Sequence, residues 1–216
     1  MKKLVVIIIS ILIYSCANIS KIDGLSDEVE VLRDNYGINH IYANNQEDLF
    51  FMQGYLAAKD RLFQFEIWRR QATGTTAEIF GDDELERDIG TRLFKFRGNL
   101  EDELNYYHED GFEIVSSFVR GINKYIREIN KNPNNLPIEF KILDIVPKEW
   151  TNEDVISRHQ GLLGNIEDEL NIGRAVSLIG EESVKKILWF HPKEPSLKLP
   201  ENITYNDLKQ DILRLY

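Results

Sequence analysis

One stretch constrains the fold more than any other. Residues 46–72 contain no proline and a single glycine, and Asn45 precedes them where a helix wants a side-chain cap. Gly74 follows as a stop, so the segment reads as one long helix. At about 100° per residue, Leu49, Met52, Leu56, Phe63 and Ile67 fall within about 40° of one line. Leu62, Phe65 and Trp68 lie on other faces. A helix apolar on most sides is a buried helix, so the rest of the chain must wrap it. Asp60 falls on the apolar line, about 40° from Leu56. A carboxylate there is expected to be buried and paired, with Arg61, Arg69, Arg70, Arg87 and Arg92 as candidate partners.

The remaining pattern is also mostly helical. Residues 76–80, 84–96, 111–130, 152–179 and 181–189 read as helices, and 206–216 starts another. Val115, Phe118, Val119, Ile122, Ile126 and Ile129 recur at helical spacing, as do Val155, His159, Leu162, Leu163, Ile166 and Leu170. Thr151 with Asp154 resembles a capping box using aspartate for glutamate. The exception is near the N-terminus, where 29–33 and 38–43 alternate like strands around the turn residues Asp34-Asn35-Tyr36-Gly37. The fold class read here is mostly α with an N-terminal β-hairpin.

Charge and cysteine usage exclude several functions. A net charge of −10 with no basic patch argues against nucleic acid. A single cysteine rules out an intramolecular disulfide, and His40, His108, His159 and His191 form no zinc motif. The N-terminus reads as an address. Lys2 and Lys3 precede an apolar run over 4–13, too short to span a bilayer but suited to a signal peptide. Cys16 sits where cleavage would leave it first, as in a bacterial lipoprotein. Residues 1–15 are then a leader, Cys16 carries lipid, and 16–28 form a tether. The chain would be exported and held to a membrane by its acyl groups, facing the periplasm or the cell surface.

No nucleophile announces itself. There is no G-x-S-x-G elbow and no phosphate-binding loop. Ser116-Ser117 lies beside an apolar helix stripe. Gly74-Thr75 and Gly90-Thr91 have the form of self-cleavage points, but a helix stop and a helix turn account for them. Asp82-Asp83-Glu84 and Glu101-Asp102-Glu103 read as solvated helix ends, and His40 as a hydrogen-bonded structural residue.

A series of short motifs carries more. Val31-Leu32-Arg33-Asp34-Asn35-Tyr36-Gly37-Ile38-Asn39-His40-Ile41-Tyr42-Ala43 resembles the opening of the penicillin acylase family, roughly R-D-x-[YW]-G-[VI]-P-H-I-x-A. Asn39 departs from the usual proline. The run from Gly54 through Asp60-Arg61 to Glu66, with Arg69-Arg70 and Gly74, is similar to that family's G-[YF]-x-x-A-x-D-R-x-[FW]-Q-M-x-x-x-R-R-x-x-x-G. Phe65 replaces the methionine. Asp88 with Arg92, Gly121-Ile122-Asn123, Leu136 to Phe140 and Trp150 to Asp154 follow in the family's order, so the likeness runs over 29–190. Residues 191–216 are left as loop and a linker-proximal segment.

The resemblance implies an N-terminal-nucleophile hydrolase made as one precursor that cuts itself into α and β chains. The β chain's first residue, a serine, attacks an N-acyl amide with its own α-amino group as base, beside an oxyanion hole. The α chain, to which this sequence corresponds, brings no nucleophile and is expected to be inactive alone. It would pack into an αββα core whose missing strands come from the β chain. It lines the acyl pocket, here through Leu162, Leu163 and Ile166, and lends one glutamate, best matched by Glu169, to a calcium held mostly by the β chain. One glutamate cannot make a calcium site. The alternatives are a non-catalytic helical lipoprotein that binds a ligand or partner, and a γ-glutamyl-transferase-like enzyme using Thr75 or Thr91.

Overall fold

The computed structural model describes residues 22–160, 165–191 and 193–214. Contacts divide the chain into two units, one of residues up to Arg69 with Arg97–Ile156, the other of Arg70–Phe96 with Ser157–Tyr216. Each is described by itself.

The first unit opens on an antiparallel hairpin, β1 (Glu30–Arg33) and β2 (Asn39–Tyr42), in the register Val31↔Ile41 and Leu32↔His40. The Asp34 carboxylate accepts from Tyr36 N and Ile38 N, both at 2.9 Å, and Gly37 takes φ +80° to complete the turn. Val31 and Ile41 turn inward with Val29 onto Phe51 and Met52 of α1 (Gln46–Thr73). Asn45 caps α1, its Oδ1 accepting from Asp48 N at 2.7 Å. The Asp48 carboxylate in turn accepts from Asn45 Nδ2, Ser26 N and Asp27 N. The stretch expected as a polar tether is therefore held on α1 at Ser26 and Asp27.

α1 is not one straight helix. Arg61 leaves helical geometry (φ −137°, ψ 34°), which kinks α1. Leu49, Leu56, Phe63 and Ile67 of the expected line are half-buried, so that line runs along the edge of the buried face; Ala58, Leu62 and Phe65 lie nearer its middle, two of them on what the line made other faces. They pack with Val119, Ile122, Ile126 and Ile129 of α5 (Gly111–Asn130), the half-wet helix whose stripe the spacing foretold. The two helices touch backbone to backbone. A Cβ on Gly54 would lie 2.0 Å from the Phe118 carbonyl oxygen, and one on Gly121 would lie 1.9 Å from that of Phe51. Glycine is the residue that permits this approach.

Three polar contacts close the core of this unit. Asn123 donates to the Trp150 carbonyl at 2.8 Å and accepts from Trp150 N at 2.7 Å. Buried Glu66 pairs with Arg69 at 2.7 Å and accepts from Lys148 N. Thr151 and Asp154 form the reciprocal cap expected at the start of α7 (Asn152–Gln160). α4 (Leu100–Tyr107) was not expected; Asn99 caps it, accepting from Glu101 N at 3.0 Å. α6 (Ile138–Ile142) follows a short 3-10 turn over Pro133–Asn135.

In the second unit, Gly74 (φ +63°) ends α1, and α2 (Ala77–Phe80) and α3 (Leu85–Phe94) follow. The expected helix over 152–179 is described as two, α7 and α8 (Asn165–Ile179), with 161–164 outside the described residues. Gly180 (φ +82°) leads into α9 (Glu181–Ile187). The last helix, α10 (Tyr205–Leu208), is a single turn capped by Thr204 with Asp207, rather than a start that continues toward 216. Leu170, Val184 and Leu208 are its buried anchors.

Candidate functional site

The motif residues of the hairpin meet α1 at a polar cluster. Arg33 donates to Asp60 at 2.8 Å, and Asn39 donates to the other Asp60 oxygen at 3.2 Å. Asp60 is thus ion-paired, but it is not buried: its side chain keeps 27% exposure and that of Arg33 keeps 52%. The partner also lies outside the expected set of Arg61, Arg69, Arg70, Arg87 and Arg92. The expected line runs along the edge of the buried face of α1, Leu49 and Leu56 being themselves half-buried, so Asp60 beside it reaches solvent, and the hairpin, distant in sequence, supplies the cation. The asparagine that stands in place of the pattern's proline uses its amide to hold the same carboxylate. His40 Nε2 lies 3.2 Å from Asp34 Oδ2. The Ile38 amide and His40 hold the Asp34 carboxyl below its usual range. Both oxygens of Asp34 and of Asp60 are engaged by groups of the hairpin, so the cluster fastens the turn and ties the hairpin to α1.

A second fastening surrounds Gly74-Thr75. The Asp88 carboxylate accepts from Thr76 N at 2.9 Å and Ala77 N at 2.7 Å. Arg92 Nε donates to the Gly74 carbonyl at 2.9 Å, and Arg70 bonds the Thr75 carbonyl and Glu78. The Asp88 and Arg92 that sequence reading singled out therefore clamp this turn. Thr75 Oγ1 shares a 2.8 Å hydrogen bond with Thr73 Oγ1, and Thr75 N bonds Arg70 O, the geometry of a helix stop.

Ser116 and Ser117 line a cleft of about 270 Å³ with Gln46, Glu47, Phe112 and Arg120. The Ser116 hydroxyl accepts from Asn152 at 2.8 Å and the Ser117 hydroxyl from Arg120 at 3.3 Å. Both partners are donors that cannot take a proton, so neither serine is activated. Arg120 also pairs with Glu47 across the cleft.

The residues expected at the acyl pocket and metal are only partly in view. Leu162, Leu163 and Cys16 lie outside the described residues. Ile166 is half-buried near the start of α8, and Glu169 is exposed on the same helix. Among the described residues no group of three or more His, Cys, Asp or Glu side chains could hold a metal ion. Glu169 alone offers the two oxygens of one carboxylate, fewer than a calcium ion takes.

The penicillin amidase family matches residues 28–196. The chain is 35% identical over 141 residues to the penicillin G acylase of Escherichia coli, covering 65% of this chain and 17% of that protein. It is 29% identical over 197 residues to the penicillin acylase 2 proenzyme of Pseudomonas sp. (strain SE83), covering 90% and 25%. It is 29% identical over 181 residues to the acyl-homoserine lactone acylase QuiP of Pseudomonas syringae pv. syringae (strain B728a), covering 82% and 21%. The chain therefore spans a quarter or less of the length of these relatives. A solved thermostable penicillin G acylase from Alcaligenes faecalis superposes with a TM-score of 0.58 at 27% identity, over 80% of this chain and 96% of that one.

Proposed function

From the premise that the chain belongs to the penicillin amidase family, we propose that it supplies the α-chain portion of an amidohydrolase that cleaves N-acyl amides. The observation that carries this reading is the pairing of coverages. The solved acylase chain is matched along 96% of its length, whereas the proenzyme is matched along 25%. The relatives' names include acylases of penicillins and of acyl-homoserine lactones, and the acyl group hydrolysed here is left at that class.

In this reading the nucleophile and oxyanion donors belong to a companion β chain, and the two chains arise from one proenzyme. The hairpin β1–β2 joins an αββα core whose other strands are the companion's; two strands alone are marginal. The carboxylates of Asp34, Asp60 and Asp88, each engaged at both oxygens in structural contacts, and the unactivated hydroxyls at Ser116 and Ser117 support a scaffolding role for this chain. Leu162, Leu163 and Ile166 face the acyl group. Glu169 lends its carboxylate to a calcium ion held mostly by the companion. The leader over 1–15 directs export, and lipid on Cys16 anchors the enzyme to a membrane.

Co-expression of residues 16–216 with a companion that begins with serine tests the proposal. We expect a copurifying pair that hydrolyses a chromogenic N-acyl amide, and a pair silenced when that serine becomes alanine. A pair that forms and turns over no N-acyl amide of any chain length would overturn it.

A further inference from the structure

Helix α8 is gripped by a later part of the chain. The Arg174 guanidinium spreads over three acceptors. Its Nε donates to the Leu208 carbonyl at 2.7 Å, Nη2 to the Gln210 carbonyl at 3.2 Å and Nη1 to Asn171 Oδ1 at 3.2 Å. Leu208 ends α10, so its carbonyl has no donor within that helix, and the rigid fork of arginine N–H groups suits two neighbouring main-chain oxygens. Leu199 and the buried Leu208 pack beside it at Gly173, where an added Cβ would stand 3.6 and 3.7 Å from their methyl groups. The other end of this segment is held as well. Leu197 N donates to the Glu181 carboxylate of α9 at 3.2 Å, and Lys185 pairs with the same carboxylate at 2.8 Å. Residues 197–210, expected as loop and a linker-proximal stretch, thus form a strap fastened to α9 at one end and to α8 at the other.

The strap matters because of what α8 carries. Leu170 is the single buried side chain among the described residues of α8, and a helix in a protein is stabilised mostly by its packing. A three-bond clasp therefore weighs more here than it would on a core helix. The acylase reading gives Ile166 and Glu169 of the same helix to the acyl pocket and to calcium. Arg174 stands about 8 Å along the axis from Glu169 and about 12 Å from Ile166, and its guanidinium is occupied by the strap, so it acts on them only through the helix. Resting on that reading, we propose that Arg174 is a positioning residue: by clasping the strap it fixes α8, and with it the wall offered to the acyl group.

Kinetics and hydrogen exchange of the assembled enzyme test this, with Arg174→Gln and Arg174→Lys set against Lys209→Ala. The last removes an exposed cation from the strap and leaves the clasp intact. We expect Arg174→Gln to raise KM for a long-chain N-acyl substrate about tenfold, and for a short-chain one less, with kcat kept within about twofold. Exchange at the amides of α8 should quicken about tenfold. Arg174→Lys should fall between, because an ammonium lacks the fork that spans both carbonyls, and Lys209→Ala should match the parent. If Arg174→Gln does not assemble, Arg174→Lys is read by the same criteria. Parent KM values at both chain lengths overturn the proposal, whether or not exchange quickens, and leave the acylase reading standing. An equal rise in KM for both chain lengths also overturns it, since the acyl wall would then be undisturbed. An assembly that hydrolyses no N-acyl amide removes the acylase reading and the proposal with it, while quicker exchange in α8 of Arg174→Gln would still register the clasp.

Discussion

Replacing Gly121 with alanine puts a methyl group into the backbone of α1. Its Cβ would lie 1.9 Å from the Phe51 carbonyl oxygen and 2.8 Å from Tyr55 N. These are main-chain atoms, so no rotamer change relieves the clash. α1 and α5 must separate by roughly 1.3 Å or more to regain an ordinary contact, and a gap of that size forfeits at least about half of the dispersion well for atom pairs across the seam. The seam carries Phe51, Ala58, Leu62, Val119 and Ile122, each at most 6% exposed. Overpacking costs about 1–3 kcal/mol where side chains can shift, and a backbone clash belongs at the upper end. Alanine returns up to about 1 kcal/mol of helix propensity, which leaves a net loss of about 2 kcal/mol. Gly173→Ala in α8 is the control. Its Cβ would meet nothing nearer than a Leu199 methyl at 3.6 Å, so only the propensity gain remains. Urea titration followed by circular dichroism should move the Gly121→Ala midpoint down by about 1 M and leave Gly173→Ala level or higher. Combining Gly54→Ala with Gly121→Ala should cost less than the sum, because both push the same seam apart. A Gly121→Ala protein as stable as its parent would refute the close crossing.

Three further outcomes follow from named contacts. Asp48→Asn turns an acceptor into a donor facing Ser26 N and Asp27 N, and should cost about 1–3 kcal/mol and speed hydrogen exchange at those two amides. Burial pushes the Asp48 carboxyl up, but the bonds from Ser26, Asn45 and Asp27 outweigh it and the net value lies below the usual one. Its contribution is therefore complete above about pH 4 and lost as pH falls through the lowered value, so the parent should lose stability in acid more steeply than Asp48→Asn. Asp60→Ala breaks a half-exposed ion pair and should cost only about 0–1 kcal/mol; a loss of 3 kcal/mol or more would mean that Asp60 acts as the buried charge the helical projection suggested. Growth with labelled palmitate should mark the parent and leave Cys16→Ser unmarked, and equal label in both would end the lipid anchor.

What the sequence revealed were features carried by neighbours in the chain. Asn45 before an apolar run, Thr151 with Asp154, and Gly74 and Gly180 as stops are local signals, and the structure places helix ends at each. The stripe of α5 was legible because no kink interrupts its period. α4 carries a local signal of its own, Asn99 two residues before Glu101, so the acidic run Glu101-Asp102-Glu103, expected as a helix end, is the first turn of a capped helix. Asp60 was misplaced for a physical reason: the apolar line it lies beside is the half-buried edge of α1 and not its core face, and its cation comes from a hairpin 27 positions away. The capture of Ser26 and Asp27 by Asp48, and the capping of Thr76 and Ala77 by Asp88, are tertiary contacts with no local pattern.

The central claim is that this chain shapes an amidohydrolase but does not carry its nucleophile. Intact-mass analysis of the assembled pair, quenched during turnover of a slow N-acyl substrate, tests it directly. The account predicts that the added acyl mass falls on the first residue of the companion and that residues 16–216 keep their parent mass. The isolated 16–216 chain should show neither acylation nor turnover. An acyl adduct on this chain, or amide hydrolysis by it alone that survives substitution of Thr75 and Thr91, would contradict the account.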